Sequence, residues 1–151
     1  MNDVGICNLA LGRVGQGASR PIQSLTEDSE SARACHRVFA HMRDLLLRDY
    51  VWPFALRVQA LTPSSEVVPG WSRVYALPTE CQFLHAVTDS GTDPWRHGSL
   101  DRSLTAPYKL LSNAAGTGML VAAECDQAHA WFNIGTATVG YSDSSFVDAL
   151  A

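Results

Sequence analysis

The chain has 151 residues, 46% of them hydrophobic and 17% charged, with a formal net charge of -4. This is the size of one ordinary domain with enough chain to bury a core, so a single domain over residues 1–151 is expected. The acidic balance argues against a protein that grips nucleic-acid phosphates over a large area, because that binding is driven by clustered lysine and arginine.

In chain order, Val4, Cys7, Leu11 and Val14 recur at three and four residues and predict a first amphipathic helix from Asp3 to Val14, ended by Gly15 and Gly17. Ile22 and Leu25 are apolar anchors for the connection that follows. The strongest helical signal lies between Thr26 and Phe54. Cys35, Val38, Met42 and Leu45, with Phe39, Leu46 and Tyr50, form one broad apolar stripe. Thr26 or Asp28 is the expected cap, and Glu27, Asp28 and Glu30 set negative charge against the helix dipole. Pro53 ends the helix, giving a spine of about 22 residues and about 33 Å. Phe39, Met42, Leu46, Trp52, Pro53 and Phe54 are the expected core of this stretch.

Beyond Pro53 the period changes to the alternation of a strand: Phe54, Leu56, Val58 and Ala60. Further strands are expected over Trp71 to Leu77, Cys81 to Val87, Tyr108 to Leu111, Met119 to Ala123 and Trp131 to Tyr141, with Trp95 anchoring the loop after the second of these. Ser142, Asp143 and Ser144 read as caps for a terminal helix carrying Phe146, Val147 and Leu150, residues expected to dock. The expected class is α+β: an N-terminal antiparallel helix pair with a long spine helix, packed with a small antiparallel β-sheet, and the start of a C-terminal helix.

Arg33, Arg37, Arg43 and Arg48 share the outer face of the spine with Glu30 and Asp44. Two readings stand for this face: a solvated surface with intrahelical pairs, or an interface to a neighbouring subunit, for which the planar guanidinium is well suited.

Chemical motifs are weak. Gly15 and Gly17 with Ala18 and Ser19 follow a helix, not a strand, and lack a P-loop lysine. His36 and His41 fall on different sides of their helix. Glu80, Cys81 and His85 form the one imaginable thiol site, against the simpler reading of a strand that alternates inside and outside. The four cysteines, at 7, 35, 81 and 125, show no Cys-x-x-Cys spacing and read as free thiols of a reducing compartment. No catalytic residue, cofactor or metal is expected. No apolar run nears the roughly 20 residues needed to span a bilayer, and Met1 to Gly15 shows neither the basic start nor the apolar core of a signal peptide. The expectation is a soluble protein made in a cytoplasm.

Five stretches carry a resemblance. They are Ile6 to Gly15 (ICNLALGRVG), Ile22 to Ala32 (IQSLTEDSESA), Leu46 to Ala55 (LLRDYVWPFA), Tyr75 to Cys81 (YALPTEC) and Phe146 to Ala151 (FVDALA). Together and in this order they resemble the head-to-tail adaptor family of tailed bacteriophages, the tail tubular protein A type of short-tailed phages. The resemblance implies a structural virion protein and no enzyme. Such proteins form a homo-oligomeric ring, typically dodecameric, below the portal protein. The ring extends the channel through which DNA passes without sequence-specific binding and gives tail or nozzle proteins a platform. It also implies assembly in the bacterial cytoplasm, a final place at the head-tail junction, and no membrane partner. Family members usually continue past the position of Ala151 with more helix. Two readings from other classes remain beside it: a small soluble enzyme with a dispersed active site, and a monomeric interaction module.

Overall fold

The computed structural model describes residues 2–15, 20–96, 98–135 and 143–151. The chain divides into two compact units, Met1–Ala55 with Gly135–Ala151, and Leu56–Ile134.

The first unit is helical. Helix α1 spans Asp3–Arg13; the Asn2 side chain accepts from the Gly5 amide at its start, and Gly15 follows its end with a φ of 77°, a left-handed conformation that glycine adopts without strain. Helix α2 spans Glu30–Asp49 and is capped by Ser29, whose hydroxyl accepts from the Ala32 amide at 3.1 Å. The cap is thus Ser29, neither Thr26 nor Asp28: those two precede the first helical turn, where their side chains cannot reach its free amides. At the far end the Trp52 indole donates to the Leu46 carbonyl at 2.8 Å, satisfying one of the acceptors a helix terminus leaves open. Helix α3 spans Ser144–Leu150, with Asp143 accepting from the Ser145 and Phe146 amides.

Two clusters hold this unit. Ile6, Cys7, Ile22, Ala32, Phe39 and Val147 form one, edged by Leu25, Cys35 and Leu150. Leu47, Ala55 and Phe146 form the other, edged by Leu46, Trp52 and Phe54. Phe146 is fully buried, with Trp52 and Phe54 edge-on to it at ring-centre distances of 5.0 and 5.1 Å.

The second unit is built of antiparallel strands: β1 Leu56–Ala60, β2 Thr62–Pro63, β3 Arg73–Ala76, β4 Cys81–Asp89, β5 Tyr108–Ser112, β6 Met119–Ala123 and β7 Ala128–Ile134. They make a three-stranded sheet in the order β1-β7-β4 and a four-stranded sheet in the order β2-β3-β6-β5. The chain changes sheet at buried Leu61, whose amide bonds the Ala128 carbonyl at 2.8 Å. Pro63 is tolerated because β2 is an edge strand, where a missing amide breaks no interior ladder. Strand β4 is also an edge, and its register shifts around Gln82 and His85. The Tyr108 hydroxyl donates to the Leu84 carbonyl at 3.2 Å and so joins the two sheets.

The expected architecture is corrected on three points. Among the described residues there are three α-helices and no N-terminal pair: α3 returns from the end of the chain and supplies Phe146 and Val147 to the clusters that α1 and α2 leave open. The described residues form two antiparallel sheets in place of one. Strand β1 is an exposed edge with Val58 48% exposed, and does not alternate as a half-buried strand should. The physical reason is common to all three, since periodicity reports that a segment has an apolar side and says nothing about which element covers it. Residues 136–142, which include the expected end of the last strand and the Ser142 cap, lie outside the described residues, as do Gly17, Ala18 and Ser19.

Candidate interaction surface

The stretches quoted above fasten to one another within the helical unit. Asn8 on α1 brackets Ile22: its amide nitrogen donates to the Ile22 carbonyl at 3.0 Å and its oxygen accepts from the Ile22 amide at 2.9 Å. This holds buried Ile22 in its cluster and satisfies both of its backbone groups. The Glu27 carboxylate accepts from the amides of Gln23 and Ser24 and from the Ser29 hydroxyl. Those donors, the Gln23 amide foremost, lower its pKa below the ordinary carboxylate value. The loop before α2 is therefore a built turn that presents the Ser29 cap. Arg13, at the end of α1, meets Asp148 on α3 with one bond to the carboxylate at 2.9 Å and one to the backbone carbonyl at 2.8 Å.

Helix α2 offers the candidate surface. Of its arginines, Arg33 pairs with Asp28, and Arg43 is half-buried with Nε 3.0 Å from Asp44, while Arg37 and Arg48 are exposed. No carboxylate among the described residues forms an ion pair with Arg37. The four arginines do not form a single row, because Arg43 turns toward the packed side of the helix. Leu25, Thr26, Glu27, Glu30, Arg33, His36 and Arg37 line an open cleft of about 560 Å³ along the first half of α2, which carries charge of both signs.

Apolar residues on the same helix are uncovered. Val38 is 56%, Met42 46% and Leu45 38% exposed, so Met42, expected in the core, is corrected to the surface. The apolar stripe of α2 is wider than α1 and α3 can cover: Ala32, Phe39 and Leu47 lie buried on one flank while Val38, Met42 and Leu45 remain on the other. Of the remaining expected core residues, Phe39 is buried, Leu46, Trp52 and Phe54 are half-buried, and Pro53 is exposed. Phe146 and Val147 are buried and Leu150 half-buried. Sequence reasoning missed Leu47, which is fully buried, and the polar fasteners Asn8, Arg13 and Asp148.

Compared with protein-family models and with curated proteins, the chain matches none.

Glu80, Cys81 and His85 do not assemble a thiol site. Burial pushes the Cys81 thiol up to about 11, opposite to what a nucleophilic cysteine needs. His85 packs edge-on against Phe83 at 4.9 Å and Trp95 at 6.3 Å, with the Asn133 side chain nearby; burial lowers its pKa and keeps the ring neutral. Trp95 in turn packs on Trp131, whose indole donates to buried Thr88 at 3.0 Å. These residues form an aromatic core on the three-stranded sheet. Among the described residues no group of three or more His, Cys, Asp or Glu side chains could hold a metal, and no helix is long and apolar enough to cross a membrane.

Proposed function

We propose that the chain is a structural virion protein, a head-to-tail adaptor whose copies form a ring below the phage portal, extend the DNA channel and carry the tail. One observation carries this reading: segments that resemble the adaptor family, far apart in sequence, are joined by their own side chains, as in Asn8 with Ile22, Arg13 with Asp148, and Trp52 with Phe146. Residues of those motifs are thus used together as one packed unit. The uncovered apolar and cationic face of α2 supports assembly as the mode of action, since a partner that covers Val38, Met42 and Leu45 removes apolar surface from water. In a closed ring each copy presents two different surfaces, so a face of this kind calls for an acidic counterpart on the neighbour, and 15 acidic against 11 basic residues make one available. A channel lined without excess positive charge lets DNA slide.

The test is to image the subunit by electron cryo-microscopy alone and mixed with the portal protein of the same phage. The expected result is a ring, of twelve copies as in the family, seated coaxially on the portal. A subunit that neither forms rings nor sediments with portal overturns the reading.

A further inference from the structure

Two of the free thiols meet across helices. Cys7 on α1 is buried in the larger helical cluster, and Cys35 on α2 packs half-buried against that cluster. Both line a small apolar groove of about 70 Å³ together with Ile6, Ala10, Phe39 and Leu150, rimmed by the exposed Val38 and Met42. Cys35 therefore has a path to solvent, and Cys7 stands behind it.

The other cysteines are placed differently. Cys81 sits in the sheet unit, held as a thiol by burial. Cys125, also there, is ringed by Asp89, Asp126 and Glu124, whose charges add to burial in raising its pKa and repel an anionic oxidant.

We infer that Cys7 and Cys35 are a modification site, an oxidisable pair that forms a disulfide stapling α1 to α2 when the protein leaves a reducing compartment for an oxidising one. The oxidant class is a low-molecular-weight disulfide such as glutathione disulfide. The Cys35 thiolate attacks one sulfur of glutathione disulfide, breaking its S–S bond; a Cys35–glutathione disulfide forms, and the expelled glutathione thiolate takes up the proton that Cys35 lost. Cys7 then gives up its proton and its Sγ attacks Sγ of Cys35. The Cys7–Cys35 bond forms and a second glutathione leaves carrying that proton. Two protein thiols are oxidised, and one glutathione disulfide is reduced to two glutathiones. Burial, together with Cys35 itself, pushes Cys7 up to about 12, so Cys7 is a poor first attacker. As second attacker it needs no encounter, because its target lines the same groove. The bridge closes the chain between α1 and α2 and removes freedom from the unfolded ensemble, so the oxidised protein unfolds at higher denaturant than the reduced one. This inference does not depend on the adaptor reading.

The experiment equilibrates the full chain, folded by circular dichroism, with glutathione disulfide, then alkylates free thiols and maps peptides without reduction. The expected result is a Cys7–Cys35 linked peptide, with the alkylatable thiols falling from four to two and Cys81 and Cys125 still free on denaturation. Cys7→Ala, which removes the second attacker, accumulates the Cys35–glutathione adduct, whereas Cys35→Ala gives neither product. A parent that stays fully reduced, or that stops at the Cys35 adduct just as Cys7→Ala does, overturns the inference. So does a linked peptide joining any other pair.

Discussion

Arg13 and Asp148 stand 135 positions apart in sequence and meet through two bonds, one to the carboxylate at 2.9 Å and one to the backbone carbonyl at 2.8 Å. The pair ties the last turn of α1 to α3, and its two bonds predict unequal mutants. Side-chain exposures of 46% and 66% place it in water, where such pairs contribute little, about 0.2–1 kcal/mol. Asp148→Ala removes the carboxylate but leaves the carbonyl acceptor; Arg13→Ala removes both bonds. Arg13→Ala is expected to lower the urea midpoint more than Asp148→Ala, with the gap between them surviving high salt. Equal losses in the two variants, both abolished by salt, would mean the carbonyl bond carries nothing.

Asn8→Ala removes both partners of the Ile22 backbone at once. Leaving the amide and carbonyl of a buried residue without their bonds costs about 2 kcal/mol. Faster hydrogen exchange at the Ile22 amide should accompany the loss of stability. An unchanged exchange rate would show that water or another group replaces Asn8 at no cost.

Phe146→Ala empties the centre of the second helical cluster, where Trp52 and Phe54 pack edge-on. A fully buried phenylalanine truncated to alanine costs about 3–5 kcal/mol. Phe54→Ala, at a half-buried position, should cost roughly half as much. Urea denaturation followed by tryptophan fluorescence checks the order, and a Phe146→Ala variant as stable as the parent would disprove the packing of α3.

His85 makes stability depend on pH. Burial lowers its pKa in the folded state below the ordinary 6.5, and the nearby Asn133 side chain only partly opposes that shift. The unfolded chain then binds the proton more readily than the folded one. Above 6.5 both states are neutral at this ring and stability is unaffected; as pH falls below 6.5 and through the lower folded-state value, stability is lost. His85→Phe should flatten this part of the urea-midpoint curve, leaving the more acid decline due to carboxylates. A variant curve parallel to the parent's from pH 7 to 5 would assign the loss to other groups.

Val38→Glu and Met42→Glu place charge on the uncovered flank of α2. Surface changes of this kind shift subunit stability by about 0.5 kcal/mol or less, whereas a carboxylate buried in a contact weakens it about tenfold or more. Arg37→Glu should act alike, while Arg43→Glu, half-buried, should also disturb the fold. Ring occupancy measured by electron microscopy separates the cases: complete rings from all of the exposed variants would leave this face solvated.

The sequence by itself determined which segments of the helical unit are helical and roughly where they stop, but not the residue that caps α2. The proline at 53 and the aspartate at 143 act on groups a few bonds away, so their effects are readable without a partner, whereas the choice of Ser29 over Thr26 or Asp28 as the α2 cap depends on how the preceding turn is built. It also determined which residues are apolar, including the motif residues on which the adaptor resemblance rests. Tertiary structure alone decided how that apolar surface is shared out. The stripe of α2 has one flank against Ile6, Ile22 and Val147 and the other in water, because α1 and α3 together cover only part of its circumference. In the strand region, sheet membership follows from pairing over long separations, such as Leu56 opposite Asn133, and from the change of sheet at Leu61. A hydrogen bond of that range leaves no trace in local periodicity. The same holds for Asn8 with Ile22, for Arg13 with Asp148 and for Cys7 with Cys35: each is an ordinary residue in its own segment and acquires its role only when another helix brings its partner within reach.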